Sequence, residues 1–151
     1  MYLTCGLPCS GKTTRAKEIE REHRAIRLTP DEWLSALFGP DRTAETDAMR
    51  DPIEAVLWDH AERLLELGIN VVLDFGVWTR GEREAFRARA ARSGARTELH
   101  FLDVPLDELL ARLAVRNAAL PAGTFHIEEA EMRLWWTLFE APGEDELVRS
   151  L

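Results

Sequence analysis

The stretch Gly6-Leu7-Pro8-Cys9-Ser10-Gly11-Lys12-Thr13-Thr14 follows directly on a short apolar opening, Met1-Tyr2-Leu3-Thr4-Cys5, and precedes helix formers that extend to about His23. Strand, glycine loop and helix start in that order leave the backbone little choice. Glycine lets the chain turn back on itself, and the first N–H groups of the helix stay unpaired and face the loop. Gly6-x4-Gly11-Lys12-Thr13 fits the Walker A pattern, in which loop amides and a helix N-terminus close around a phosphate. In a chain of this composition the pattern arises by chance roughly once in a thousand or two sequences. Lysine usage sharpens the reading: Lys12 and Lys17 are the only lysines, against seventeen arginines. At position 12 a slim ammonium is kept where a planar guanidinium would be too wide for the loop. Gly6, Leu7, Pro8, Cys9, Ser10, Gly11, Lys12, Thr13 and Thr14 are therefore the expected nucleotide-binding residues, with Cys9 read as a small loop residue. Lys12 is expected on the β- and γ-phosphates of ATP or GTP, and the Thr13 hydroxyl on Mg²⁺.

Beyond the loop, strand and helix patterns alternate. Ala25 to Leu28 reads as a strand. Thr29-Pro30-Asp31-Glu32 reads as a capping box that starts a helix ending at Phe38, before Gly39-Pro40. Residues 41–51 lack a period and read as loop. A helix begins at Pro52 and ends at Gly68. Asn70 to Phe75 is a continuous apolar run of the kind buried on both faces of a parallel sheet. A helix from Arg80 to Ser93, a strand from Thr97 to Leu102, and helices from Pro105 to Ala118 and from Ile127 to Phe139 complete the order. This alternation predicts an α/β three-layer sandwich with a mostly parallel sheet of four or five strands. The chain reads as one domain over 1–151, with a small lid near 112–126.

Composition narrows the function classes. With 151 residues, 46% hydrophobic and 30% charged, the chain is long enough to bury a core, which excludes intrinsic disorder. A net charge of −8 works against non-specific capture by nucleic acid or anionic membrane. Two cysteines make no disulfide framework. The absence of a long apolar run or a signal-peptide pattern leads us to expect a soluble cytoplasmic protein without a membrane partner.

Charged residues are spaced to serve the loop. Asp31 follows the second strand, at the sheet edge where parallel sheets bind ligands, and is the candidate general base. Its other reading is a favourable charge at a helix N-terminus. Asp74 closes Val71-Val72-Leu73-Asp74, a strand-then-acid pattern suited to the Mg²⁺ shell. Arg112 and Arg116, four apart on one helix before the proposed lid, are candidates to stabilise charge during transfer. Arg80 and Arg83 lie near enough to the strand ends to meet an anionic substrate. Trp33, Phe38 and Trp58 are candidates for an acceptor pocket, whereas Trp135, Trp136 and the four histidines read as packing.

Taken in order, Gly6 to Thr14, Thr29-Pro30-Asp31, Val71-Val72-Leu73-Asp74 with Arg80 and Arg83, and Arg112-x3-Arg116-Asn117 resemble the small P-loop kinases. That group includes polynucleotide 5′-hydroxyl kinase domains, chloramphenicol phosphotransferase and zeta toxins, and the likeness covers nearly the whole chain. The resemblance implies a P-loop NTPase fold of the nucleotide kinase-like kind, ATP (or GTP) with Mg²⁺, an Asp31-like base and lid arginines at Arg112 and Arg116. Phe75-Gly76 stands where the group usually has Thr or Asn after the third-strand acid. The expected activity is ATP-dependent transfer of the γ-phosphoryl group to a hydroxyl of a small molecule. The alternatives are a polynucleotide 5′-hydroxyl kinase, which the net charge disfavours, and a non-catalytic nucleotide-binding switch.

Overall fold

The computed structural model describes residues 1–39, 42–121 and 124–147. Four strands, β1 (Tyr2–Cys5), β2 (Ile26–Leu28), β3 (Val71–Gly76) and β4 (Glu98–Phe101), form one parallel sheet in the order β2-β3-β1-β4. Every residue of β3 is buried, which is why its sequence runs apolar without alternation. Leu3 pairs with Leu73 and Cys5 with Gly76, so β3 carries one extra residue beside the loop.

Helices cover both faces, as the alternation requires. On one side α1 (Lys12–His23) sets Ala16 and Ile19 against Val72 and Tyr2. On the other, α4 (Arg50–Glu66) packs Leu57, Trp58 and Ala61 against Leu3 and Leu73, and α5 (Arg80–Arg92) adds Phe86. α2 (Pro30–Phe38) and α3 (Ala44–Ala48) precede α4, while α6 (Leu106–Ala119), α7 (Glu129–Leu138) and the short α8 (Glu144–Leu147) follow β4. A second core joins Leu7 of the loop to Leu109, Leu113, Ile127 and Met132 of α6, α7 and the segment between them. Through Leu7 the glycine loop is anchored in packed apolar contacts. No helix among the described residues is long and apolar enough to cross a membrane.

Three local readings are corrected. The expected loop 41–51 contains α3, whose cap is made by two threonines: Thr43 Oγ1 accepts from the Thr46 N–H, and Thr46 Oγ1 accepts from the Thr43 N–H. Threonine at the fourth position replaces the usual Glu or Gln, and five residues are too few to show a period. α4 starts at Arg50, two residues before Pro52. Thr29 sits at the N-cap of α2 with Pro30 following, but no capping box forms. Glu32 instead accepts from Arg27 Nη2 at 2.6 Å, because the largely buried Arg27 needs a counter-charge more than the helix end needs a cap. A Thr-x-x-Glu capping box does form at α5, where Thr79 and Glu82 cap each other's backbone. Part of the lid expected near 112–126, at Ala122 and Gly123, lies outside the described residues.

Candidate active site

The loop owes its path to backbone that most side chains would refuse. Gly6 has φ +149°, and a Cβ there would stand 2.7 Å from Ser10 Oγ and 3.1 Å from the Leu102 carbonyl oxygen. Gly11 adopts φ +97° and Cys9, without glycine's freedom, φ +66°. Left-handed residues inside a tight turn at a helix N-terminus make a nest of the kind that binds anions. The turn closes on itself through Ser10 N–H to the Leu7 carbonyl at 3.2 Å, and Arg112 Nη1 donates to the Cys9 carbonyl at 3.2 Å. Lys12 Nζ donates to the Leu7 carbonyl at 2.7 Å, folding its stem across the loop. Burial pushes its ammonium below the ordinary lysine value, while Asp74 and Asp31 pull the other way. Gly76, beside this stem, adopts φ +92°, a left-handed backbone that residues with a Cβ rarely take. This is a physical reason for Phe75-Gly76 after the strand acid.

Lys12, Thr13, Lys17, Asp31, Asp74 and Arg116 line a single cleft of about 810 Å³. Asp74 is almost completely buried, and its Oδ1 accepts from Thr4 Oγ1 at 3.0 Å. Its Oδ2 has no hydrogen-bond partner; Arg27 Nη1 is 3.9 Å away. A buried, bond-deficient carboxylate oxygen in the same cleft as the exposed Thr13 hydroxyl suits Mg²⁺, a hard cation that takes few protein oxygens and keeps water and phosphate as its other ligands. The described residues contain no cluster of three or more His, Cys, Asp or Glu that would suit a metal held by protein alone.

Asp31 enters the cleft from the first turn of α2 and pairs with Arg50 of α4, Nη1 to Oδ1 at 2.7 Å. Arg50 also reaches Glu54 Oε1 at 3.0 Å and the Phe75 carbonyl at 3.4 Å. Among the described residues Asp31 Oδ2 has no hydrogen-bond partner, so one of its two oxygens can accept a proton. Arg116 also lines the cleft, donating to the Phe125 carbonyl at 2.9 Å while its buried Nε has no hydrogen-bond partner.

Not every expected residue reaches this place. Arg112 of α6 is half-exposed, paired with Glu108 and donating to the Cys9 carbonyl of the loop, and is not on the cleft wall. Arg83 is fully buried in a bidentate pair with Glu146, and it also donates to the Trp78 and Glu140 carbonyls. Arg80 is paired with Glu84 and Asp145. Arg83 is committed to the fold, Arg80 sits in exposed pairs, and neither lines the cleft, which corrects the reading of an anion-binding pair. Trp58 is a core residue, 1% exposed, with Phe86 against it and the Arg89 guanidinium 4.4 Å from its ring centroid. Trp33 and Phe38 are half-exposed on α2 and line no part of the cleft. The aromatic wall is made by Trp78 and Trp135, with ring centroids 5.5 Å apart. The histidines take no part in the cleft.

Sequence reasoning missed Arg50, Arg42, Trp78 and the role of Trp135. No local signal marked Arg50, because residues 41–51 read as loop and only the structure begins α4 at Arg50.

Residues 1–142 match the profile of the AAA domain family AAA_33. No curated protein matches the chain. Among solved structures, a Chloroflexus aurantiacus protein provisionally named a kinase superposes with a TM-score of 0.74 at 16% identity, covering 94% of this chain and 80% of that one. Kti12 of Chaetomium thermophilum, solved with ADP-AlF3, gives 0.70 at 20% identity over 94% and 81%. A chain of the Pnkp1/Rnl/Hen1 RNA repair complex gives 0.72 at 20% identity, over 91% of this chain and 42% of its own. At such identities the likeness establishes the fold, a kinase-like P-loop fold that implies nucleotide binding.

Proposed function

Because this chain belongs to the AAA_33 family of P-loop proteins, we propose that it transfers the γ-phosphoryl group of ATP to a hydroxyl of a small molecule. The observation that carries the reading is that Asp31 and Lys12 line one cleft from different elements, a carboxylate in the first turn of α2 and the lysine that begins α1.

In this reading the loop amides and Lys12 hold the β- and γ-phosphates, and on binding the ammonium exchanges the Leu7 carbonyl for a phosphate oxygen. Thr13 and Asp74 would hold Mg²⁺, which when bound neutralises charge on the phosphate oxygens. Asp31 accepts the acceptor's hydroxyl proton on Oδ2 while Arg50 steadies Oδ1. Arg116, already inside the cleft, spreads its charge over the phosphoryl group in transit. The exposed lid arginine Arg112 acts on the loop through the Cys9 carbonyl.

The test uses radiolabelled γ-phosphate of ATP with Mg²⁺ and a panel of hydroxyl compounds, alongside calorimetric titration of ATP. Asp31→Asn is expected to lower transfer by about 10²- to 10⁴-fold with ATP affinity unchanged. Lys12→Ala is expected to weaken ATP binding itself. Equal loss of binding and transfer in Asp31→Asn would contradict the assignment, and binding without transfer to any acceptor would favour a nucleotide switch.

A further inference from the structure

We infer that the hydroxyl acceptor carries a positively charged amino group, and that Asp51 and Glu54 of α4 select it. The inference rests on the kinase reading and adds to it the class of substrate. The cleft is electrically divided. Its phosphate end carries Lys12, Lys17 and Arg116, suited to the anionic tail of ATP. The wall built from α2 to α5 presents Asp31, Glu32, Asp47, Asp51, Glu54 and Glu82, six carboxylates against the guanidinium groups of Arg42 and Arg50 and of Arg27, which pairs with Glu32 at 2.6 Å.

Neither Arg42 nor Arg50 is available to an anionic acceptor. Arg50 is shared between Asp31 at 2.7 Å and Glu54 at 3.0 Å. Arg42 is shared between Asp47 at 2.8 Å and Glu131 at 3.1 Å. One cation between two carboxylates leaves negative charge over on each side. Asp51 has no ion pair among the described residues, and Glu82 spends Oε2 on the Trp78 and Thr79 N–H groups.

Two further observations point the same way. Burial is the main reason the Glu54 carboxyl is pushed upward, and although Arg50 opposes this, Asp51, Glu82 and Asp31 crowd around it and add to the rise. Trp135 of α7, which also lines the cleft, carries the Arg42 guanidinium 5.6 Å from its ring centroid, an aromatic surface of the kind that cations favour. A phosphorylated acceptor or a nucleic-acid end would bring like charge against this wall, and a neutral polyol would leave Asp51 unanswered.

The test compares transfer from ATP to amine-bearing polyols (glucosamine, kanamycin), to neutral counterparts (N-acetylglucosamine, glucose, inositol), and to anionic ones (gluconate, a 5′-hydroxyl oligonucleotide). Transfer is expected to the amine-bearing group, with kcat/KM at least tenfold above the neutral counterparts and with KM rising as salt is added. Asp51→Asn/Glu54→Gln is expected to raise KM for the amine-bearing acceptor about tenfold with ATP affinity unchanged. A neutral or anionic compound as the best acceptor overturns the inference and leaves the kinase reading standing, as does a double variant that keeps the wild-type preference. ATP binding without transfer to any probe removes the kinase reading and this inference with it.

Discussion

Two carboxylate–arginine pairs in this protein have the same closest approach, 2.7 Å, and opposite uses. In Arg83–Glu146 the side chains are 0% and 2% exposed; in Arg50–Asp31 they are 39% and 51% exposed. The buried pair is saturated. Arg83 donates to both Glu146 oxygens and to the Trp78 and Glu140 carbonyls, while Glu146 also accepts from the Gly143 N–H. It ties residues 140–146 to the backbone that follows β3 and so steadies Trp78 on the cleft wall. The open pair leaves one carboxylate oxygen unbonded and within reach of a substrate. Burial and completeness of hydrogen bonding, not distance, separate a pair that holds the fold from one that can take part in chemistry.

Breaking each pair tests this contrast. Glu146→Gln strands a buried guanidinium and is expected to cost about 3–5 kcal/mol, lowering Tm by about 10 °C. Asp31→Asn, expected under the proposed function to lower transfer, is expected to move Tm by about 2 °C or less, because an exposed pair contributes little. Thermal unfolding of the two variants side by side decides the matter, and comparable losses would erase the distinction.

Acid sharpens the contrast further. Arg83 holds the Glu146 carboxyl down to about 2, against an ordinary value of 4.5. The folded-state value is the depressed one, so the stabilisation is fully present above the unfolded value and is lost as pH falls from about 5 toward 2. The difference corresponds to about 3 kcal/mol. Urea unfolding at pH 6 and pH 3 is expected to show a larger loss for the wild type than for Glu146→Gln; parallel losses would mean that other carboxylates dominate. The smallest effect is expected at Arg80, whose partners Glu84 and Asp145 are both more than half exposed. Arg80→Gln is expected to leave Tm within about 1 °C of the wild type.

How much of this was legible beforehand depends on sequence distance. The phosphate loop was, because its geometry is made by consecutive residues: Gly6 cannot carry a Cβ against Ser10, Gly11 must take positive φ, and α1 begins at Lys12. The buried run Val71-Val72-Leu73 announced a central parallel strand for the same local reason. Arg83 misled the reading because its helix carries many arginines and sequence cannot tell a surface guanidinium from one that meets a carboxylate 63 residues away. Trp58 misled it likewise, since a tryptophan on an apolar helix face suits a core and a pocket equally well. Arg50 was passed over because its partner lies 19 residues upstream, beyond any helical spacing.

By itself the chain's order of residues determined that a strand, a glycine turn and a helix would cradle a phosphate, and that helices would alternate with parallel strands around it. Those outcomes follow from steric limits on φ and from periodicity, which act between neighbours. Only the packed structure decided which arginines would be buried, which carboxylates would crowd the far wall of the cleft, and which tryptophans would face it. Those outcomes depend on the desolvation and pairing of groups brought together across the fold, where a few ångströms of burial change what a charge can do.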